Sequence, residues 1–206
     1  MARPRSAGFD GQREQILAAA AQLFATRGYT AATMNDVAAA CGVSKATLYH
    51  YVRDKPGLLL QITAGHVARL ETLVQAVAAQ SLAPQAHLQA LIARFMQAYA
   101  SAEHEHRVLT EDVKFLAEAD RNLVLAAQRR VVAAFAQAVA ALRPELQSAG
   151  LHTPLALLLF GMINWTFTWL KAGGALTHET LAPVVTALFL GGLPAVTAAA
   201  PASPAR

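Results

Sequence analysis

Residues Thr33–Tyr51, TMNDVAAACGVSKATLYHY, constrain this chain more than any other stretch. Thr33 is placed to cap a helix, and Asp36, three residues on, to close a capping box. Val37, Ala38 and Ala40 suit that helix's buried face. Gly42 stands where the chain must turn left-handed, because glycine adopts positive φ without steric cost. Val43 is an apolar plug after the turn. Ser44 caps a second helix, whose positions Lys45, Thr47, Tyr49 and His50 carry donors or aromatic faces. Two short helices joined this way form a helix-turn-helix, in which one helix crosses a DNA backbone and the next enters the major groove.

The rest of the chain reads as helix too. Alanine and leucine dominate and β-branched runs are few, which predicts an all-α fold. In Gln12–Arg27, Ile16, Leu17, Ala20, Leu23 and Phe24 share a face at three-to-four spacing, and Gly28 is a stop. Asp54 caps a long helix from Lys55 to Ala79, with Pro56 in its first turn. Further helices are predicted at Pro84–Ala102, Ala102–Ala119, Ala119–Leu142 and Pro154–Leu170, with a last one opened by Thr177 and Glu179. Arg143–Thr153, marked by Pro144 and Gly150, reads as a loop. About nine helices result. They divide into a three-helix head over residues 1–54, a helical body over 55–195 and a low-complexity tail over 196–206 that is expected to be disordered.

Bulk properties narrow the function classes. With 55% hydrophobic and 15% charged residues, the 206-residue chain can bury a sizeable core. Residues 1–55 hold seven Lys/Arg against four acids, whereas residues 56–206 hold ten against nine. Most of the net charge of +4 therefore lies on the helix-turn-helix segment, as phosphate binding requires. Cys41 is the single cysteine, which excludes an internal disulfide and fits a reducing cytoplasm. It reads as a small packing residue of the turn rather than a redox switch. The N-terminus has no apolar core of a signal peptide. Leu155–Leu170 lacks charge, but 16 residues with Asn164, Thr166 and Thr168 among them are too few and too polar for a membrane span. Residues 155–170 and 181–193 have almost no charged face, so a helix pair from a second subunit is expected to cover them.

The blocks ILAAAAQLFATRGY and TMNDVAAACGVSKATLYHYVRDKPGLL together resemble the TetR family of one-component transcriptional regulators. The resemblance covers about 50 residues in the family's order. It implies an all-α homodimer on a palindromic operator, with a ligand pocket in the body whose occupation releases the DNA. FGMINWTFTWLKAGGALTHETLAPVVTALFLGGL is similar to the end of members that control fatty-acid, steroid or aromatic-acid catabolism, several of which respond to acyl-CoA thioesters. The implied effector is a small hydrophobic CoA thioester, such as phenylacetyl-CoA or a fatty acyl-CoA. A multidrug-type regulator with a promiscuous aromatic pocket is the alternative. No cofactor is expected.

For DNA, Lys45 reaches a guanine edge or a phosphate, Thr47 a thymine methyl or a base donor, and Tyr49 and His50 phosphate and sugar. Thr33 and Ser44 stand at helix N-termini, where backbone N–H groups also hold phosphate, and simple capping is compatible with that role. Lys55 resembles the family's phosphate clamp. Tyr51 either joins this surface or packs inside the head. Arg3 and Arg5 either enter a flanking minor groove or belong to a free tail.

For the effector, Phe95, Tyr99, Phe115, Asn164, Trp165 and Trp169 combine aromatic area with polar handles. Each is also suited to plain core. Asn164, an amide in an apolar helix, needs a partner, which is a ligand, Thr168 or its symmetry mate across the dimer. Arg129 and Arg130 are candidates for CoA phosphates, or for an exposed solvated face. His104, Glu105 and His106, with His66 able to approach, are too sparse for metal, and none is expected. No phosphate loop, nucleophile elbow or paired catalytic carboxylates is recognisable, so an enzyme reading is rejected. An α-helical binding or enzyme-like body with an incidental helix-turn-helix is the rival from another class. It would show no sequence-specific, salt-sensitive DNA shift.

Overall fold

The computed structural model describes residues 7–171 and 173–197. Among them the fold is all-α, with eleven α-helices and two 3₁₀ turns. The helices are α1 (Ala7–Arg27), α2 (Met34–Ala40), α3 (Lys45–Tyr51), α4 (Lys55–Ala78), α5 (Pro84–Ser101), α6 (Glu103–Asp112), α7 (Glu118–Leu142), α8 (Pro144–Ser148), α9 (His152–Asn164), α10 (Thr166–Trp169) and α11 (His178–Gly192). The 3₁₀ turns are Val113–Phe115 and Leu193–Ala195. Arg3, Arg5 and residues 198–206 of the predicted tail lie outside the described residues.

The two helices beyond the expected nine have local causes. Pro144 starts α8 as its first residue, where a missing N–H costs nothing. Gly150 ends it at φ +72°, with the Gly150 N–H on the Gln147 carbonyl and the Leu151 N–H on the Leu146 carbonyl. That pair of bonds is a Schellman cap, so Pro144 and Gly150 bracket a short helix and not a plain loop. The long apolar helix expected over Pro154–Leu170 divides at Trp165. There the Thr166 hydroxyl bonds the Ile163 carbonyl at 2.8 Å and the Thr168 hydroxyl bonds the Trp165 carbonyl at 2.7 Å. Threonine hydroxyls that take carbonyls in this way compete with the helix ladder. The surviving α9 has 13 residues, about 20 Å, which is well short of a bilayer core. By length and composition alone α7 is long and apolar enough to cross one, yet its Val124, Val131, Phe135 and Val139 are buried within the protein.

The chain packs as two compact units. One takes the chain through Ala68 together with Ala102–Ala126, and the other takes Arg69–Ser101 together with the chain from Ala127 onward. In the first unit α1 packs on α2 and α6, and α2 on α3. Ile16, Ala20, Phe24, Val37, Leu48, Leu58 and Leu59 form its apolar centre. The predicted three-helix head lies inside this unit. In the second unit α5 packs on α11, and α9 on α10 and α11. Its centre is made by Leu88, Leu91, Phe95, Met96, Phe135, Leu159 and Phe189.

Candidate DNA-binding surface and apolar body

The helix-turn-helix is fixed by bonds that reach only three to five residues. Thr33 is extended (φ −115°, ψ 162°), and its hydroxyl oxygen accepts from the Asp36 N–H at 3.2 Å. The Asp36 carboxylate accepts from the Thr33 N–H at 2.9 Å, completing the capping box. Bonds from the Thr33 hydroxyl and N–H hold the Asp36 carboxyl below its usual range, and Arg27 at 3.5 Å adds to the effect. α2 ends on Gly42 at φ +65°, with the Gly42 N–H on the Ala39 carbonyl and the Val43 N–H on the Ala38 carbonyl. This second Schellman cap aims the chain into α3. Ser44 accepts from the Thr47 N–H at 3.0 Å and shares a 2.8 Å hydroxyl bond with Thr47. Leu48 is buried beneath α3, and Lys45, Tyr49 and His50 are exposed. Thr47 is half-buried. Tyr51 turns to Phe9 and stacks on it, with ring centroids 4.6 Å apart. Burial raises the pKa of the half-buried Cys41, so its thiol is a poor nucleophile.

Lys55 opens α4 from a prepared seat. The Asp54 carboxylate accepts from the Gly57 N–H at 2.7 Å, which caps the helix. The Lys55 ammonium donates to the Thr30 carbonyl at 3.3 Å and lies 4.3 Å from the centre of the Tyr29 ring. Burial lowers the Lys55 pKa, against the pull of Asp112. The Tyr29 phenol is raised by burial first, then by Asp54 and Asp112. Tyr29 was not a sequence candidate. The only signal for it is its place directly after Gly28, which turns at φ +86°.

The eight effector candidates do not form a single cluster. Phe95 and Tyr99 are buried on α5 of the second unit. Phe95 meets Phe135 edge-on at 4.8 Å, and Phe135 meets Phe160 at 4.7 Å. The Tyr99 hydroxyl donates to the Asn164 side-chain carbonyl at 2.9 Å, so within the chain the amide's partner is Tyr99 and not Thr168, whose hydroxyl takes the Trp165 carbonyl. Burial pushes the Tyr99 phenol up, so it stays a neutral donor. Trp165 and Trp169 are 54% and 51% exposed. Arg130 pairs with Glu71 at 2.6 Å, and Arg129 is exposed. Phe115 belongs to the first unit, where it stacks on Tyr29 at 5.3 Å. Phe115 is the last residue of the turn Val113–Phe115. In the same unit His66 and His106 are buried, with ring nitrogens 3.4 Å apart. Among the described residues no group of three or more His, Cys, Asp or Glu is placed to hold a metal ion.

Comparison with known proteins agrees with this arrangement. Residues 16–62 match the family model described as "Bacterial regulatory proteins, tetR family". Residues 81–193 match the model described as "Tetracyclin repressor-like, C-terminal domain". The chain belongs to the TetR family. A TetR-family transcriptional regulator from Bordetella parapertussis 12822 is 34% identical, with 91% of this chain and 98% of that chain covered and a TM-score of 0.83. The HTH-type transcriptional repressor KstR2 of Rhodococcus jostii (strain RHA1) is 26% identical over 191 residues, 91% of this chain and 94% of that one. AibR, solved in complex with isovaleryl coenzyme A and operator DNA, is 26% identical with a TM-score of 0.74, covering 86% of this chain and 97% of that chain. This TetR-family member is thus a DNA-binding transcriptional regulator and not an enzyme.

Proposed function

We propose that this repressor binds a palindromic operator as a homodimer and is released from it by a small hydrophobic CoA thioester, such as phenylacetyl-CoA or a fatty acyl-CoA. The observation that carries the effector class is the likeness, over most of both chains, to AibR, whose structure holds isovaleryl coenzyme A and operator DNA. Likeness to the repressor KstR2 supports the direction of control.

On the DNA side, Lys45, Thr47, Tyr49 and His50 of α3 read the major groove, while Thr33, Ser44 and Lys55 position the head on phosphate. For two heads to share one face of the duplex, half-sites stand about 34–36 Å apart, or a multiple of it. The dimer forms through the last apolar helices. Leu157 and Leu158 of α9 and Val184 and Leu188 of α11 are exposed, and Pro154, Leu157, Leu158, Gly161 and Met162 line an open apolar depression. Faces of this kind seek a partner surface. The regulator works in the cytoplasm, where its DNA and its thioester both occur.

Within the body, the aromatic group around Phe95 and Tyr99 supplies apolar area, and the Tyr99–Asn164 pair supplies polar handles. Arg129, exposed on α7, offers a cation for CoA phosphates. The acids of the second unit are Glu71, Glu145 and Glu179, of which Glu71 pairs with Arg130 and Glu145 with Arg143. A unit with so few acids is ill suited to the aromatic cations that a multidrug-type regulator would accept. Release follows if the thioester binds the DNA-free arrangement more tightly than the DNA-bound one.

Thermal denaturation against a panel of acyl- and aryl-CoA esters tests the effector. A ligand at about 100 times its Kd should add roughly 2.7 kcal/mol of stability. The same ester should dissociate the operator complex, and the free acid without CoA should not. Stabilisation by none of the esters rules out this effector class while leaving DNA binding intact.

A further inference from the structure

Phe115 looked like an effector residue in sequence, but its ring faces the head. It stands on the 3₁₀ turn that follows α6 and lies 41% exposed, with its plane 22° from that of Tyr29. Tyr29 is held at its edge by Phe24, a core residue of α1, at 5.2 Å and 83°. Two aromatic neighbours therefore fix the Tyr29 ring, one at its edge and one stacked. The Lys55 ammonium rests over that same ring and on the Thr30 carbonyl. A lysine has a long flexible stem and a strongly hydrated head, so most of the cost of using it lies in immobilising it. Here a ring and a carbonyl have already placed it at the start of α4. Lys114, the neighbour of Phe115, sets its own ammonium 5.3 Å from the Phe115 ring. The aromatic pair thus carries two cations.

We propose that Phe115 is a positioning residue for DNA binding. By stacking on Tyr29 it fixes the ring that seats Lys55, and it makes the phosphate contact at the start of α4 conditional on where the turn after α6 stands. This rests on the reading of Lys55 as a phosphate ligand. Asp112, buried at the end of α6, strengthens the dependence because its charge acts on both Tyr29 and Lys55.

The test uses the full-length protein and a duplex selected from a random library by the wild type. Affinity is measured as a function of salt, alongside thermal melting. Lys55→Gln should weaken binding and flatten the log–log salt slope by about 0.9 per phosphate lost. Phe115→Ala should give the same flattening with a loss of about threefold to tenfold, and Phe115→Tyr should restore wild-type behaviour. In the Lys55→Gln background, Phe115→Ala should add less than about twofold. If Phe115→Ala does not fold, Phe115→Leu keeps apolar volume without an aromatic face and is expected to behave alike. A wild-type slope in both Phe115→Ala and Phe115→Leu, or losses that multiply with those of Lys55→Gln, overturns the proposal. An unchanged slope in Lys55→Gln itself overturns the phosphate reading of Lys55, and the positioning role with it.

Discussion

The side chains that define the helix-turn-helix act over three residues, Thr33 with Asp36 and Ser44 with Thr47. Those that tie the second unit together span the chain, with Tyr99 bonded to Asn164 65 residues away and Arg130 to Glu71 59 residues away. The first unit's recognition surface is therefore set mainly by backbone geometry and capping. The second unit's interior is set by aromatic packing among α5, α7 and α9, where Phe95, Phe135 and Phe160 meet. Local bonds give the two short helices a shape of their own, which suits a part that must fit a fixed DNA groove, whereas the Lys55 seat beside them draws on the distant Phe115. Packing over long separations makes an interior whose shape responds when a neighbour moves, which suits a part that must answer to a ligand.

The largest test of that contrast is Phe135→Ala. Its ring is fully buried between Phe95 and Phe160, and removing it should cost about 3–5 kcal/mol in denaturant unfolding. A cost below about 1 kcal/mol would mean the second unit is not held by its aromatic centre.

Next in size is Asp112→Asn. Burial, then Glu111, pushes the Asp112 carboxyl up to about 6 from 3.8, against Lys114, Arg107 and Lys55. The native state thus holds this proton more tightly than the unfolded chain does. Its contribution to stability is full below about pH 4, falls as pH rises toward about 6 and is flat above. Asp112→Asn should remove that slope and be more stable than the parent at pH 7 by about 1–3 kcal/mol, with the gain gone near pH 3.5. Parallel pH curves for the two proteins would rule this out.

The smallest effect is expected from Thr33→Ala, which deletes a cap on the exposed end of α2. A loss of about 1 kcal/mol is expected in thermal melting. A loss as large as that of Phe135→Ala would erase the difference between the two units.

The same contrast explains what was legible in the amino-acid order. Capping boxes, C-terminal glycines and the seven-residue helices α2 and α3 are written in residues that touch one another, so they were readable in place. α8 is missed by the sequence reading, because Pro144 and Gly150 serve a helix as start and stop and pass equally for loop markers. The division at Trp165 was not readable. Whether Thr166 and Thr168 take carbonyls or face outward depends on neighbours such as His178, which lies 3.2 Å from the Thr166 hydroxyl. Phe115 and Tyr29 are far apart in sequence, and no periodicity announces that a single 3₁₀ turn brings them together. An amide at 164 in an apolar helix needs a partner, but that the partner is Tyr99 follows only from the packing of the unit.

Trp165 and Trp169 are the only two tryptophans in the chain, and both stand half in solvent at the α9–α10 junction of the second unit. Intrinsic emission excited at the indole band therefore comes entirely from this corner. The head contributes none of it. If a second copy covers the apolar face around α9, that emission should shift to the blue as protein concentration rises, whereas DNA seated on α3 should be optically silent unless it is felt in the body. The molecule carries its own probe, which separates assembly from operator binding without a label.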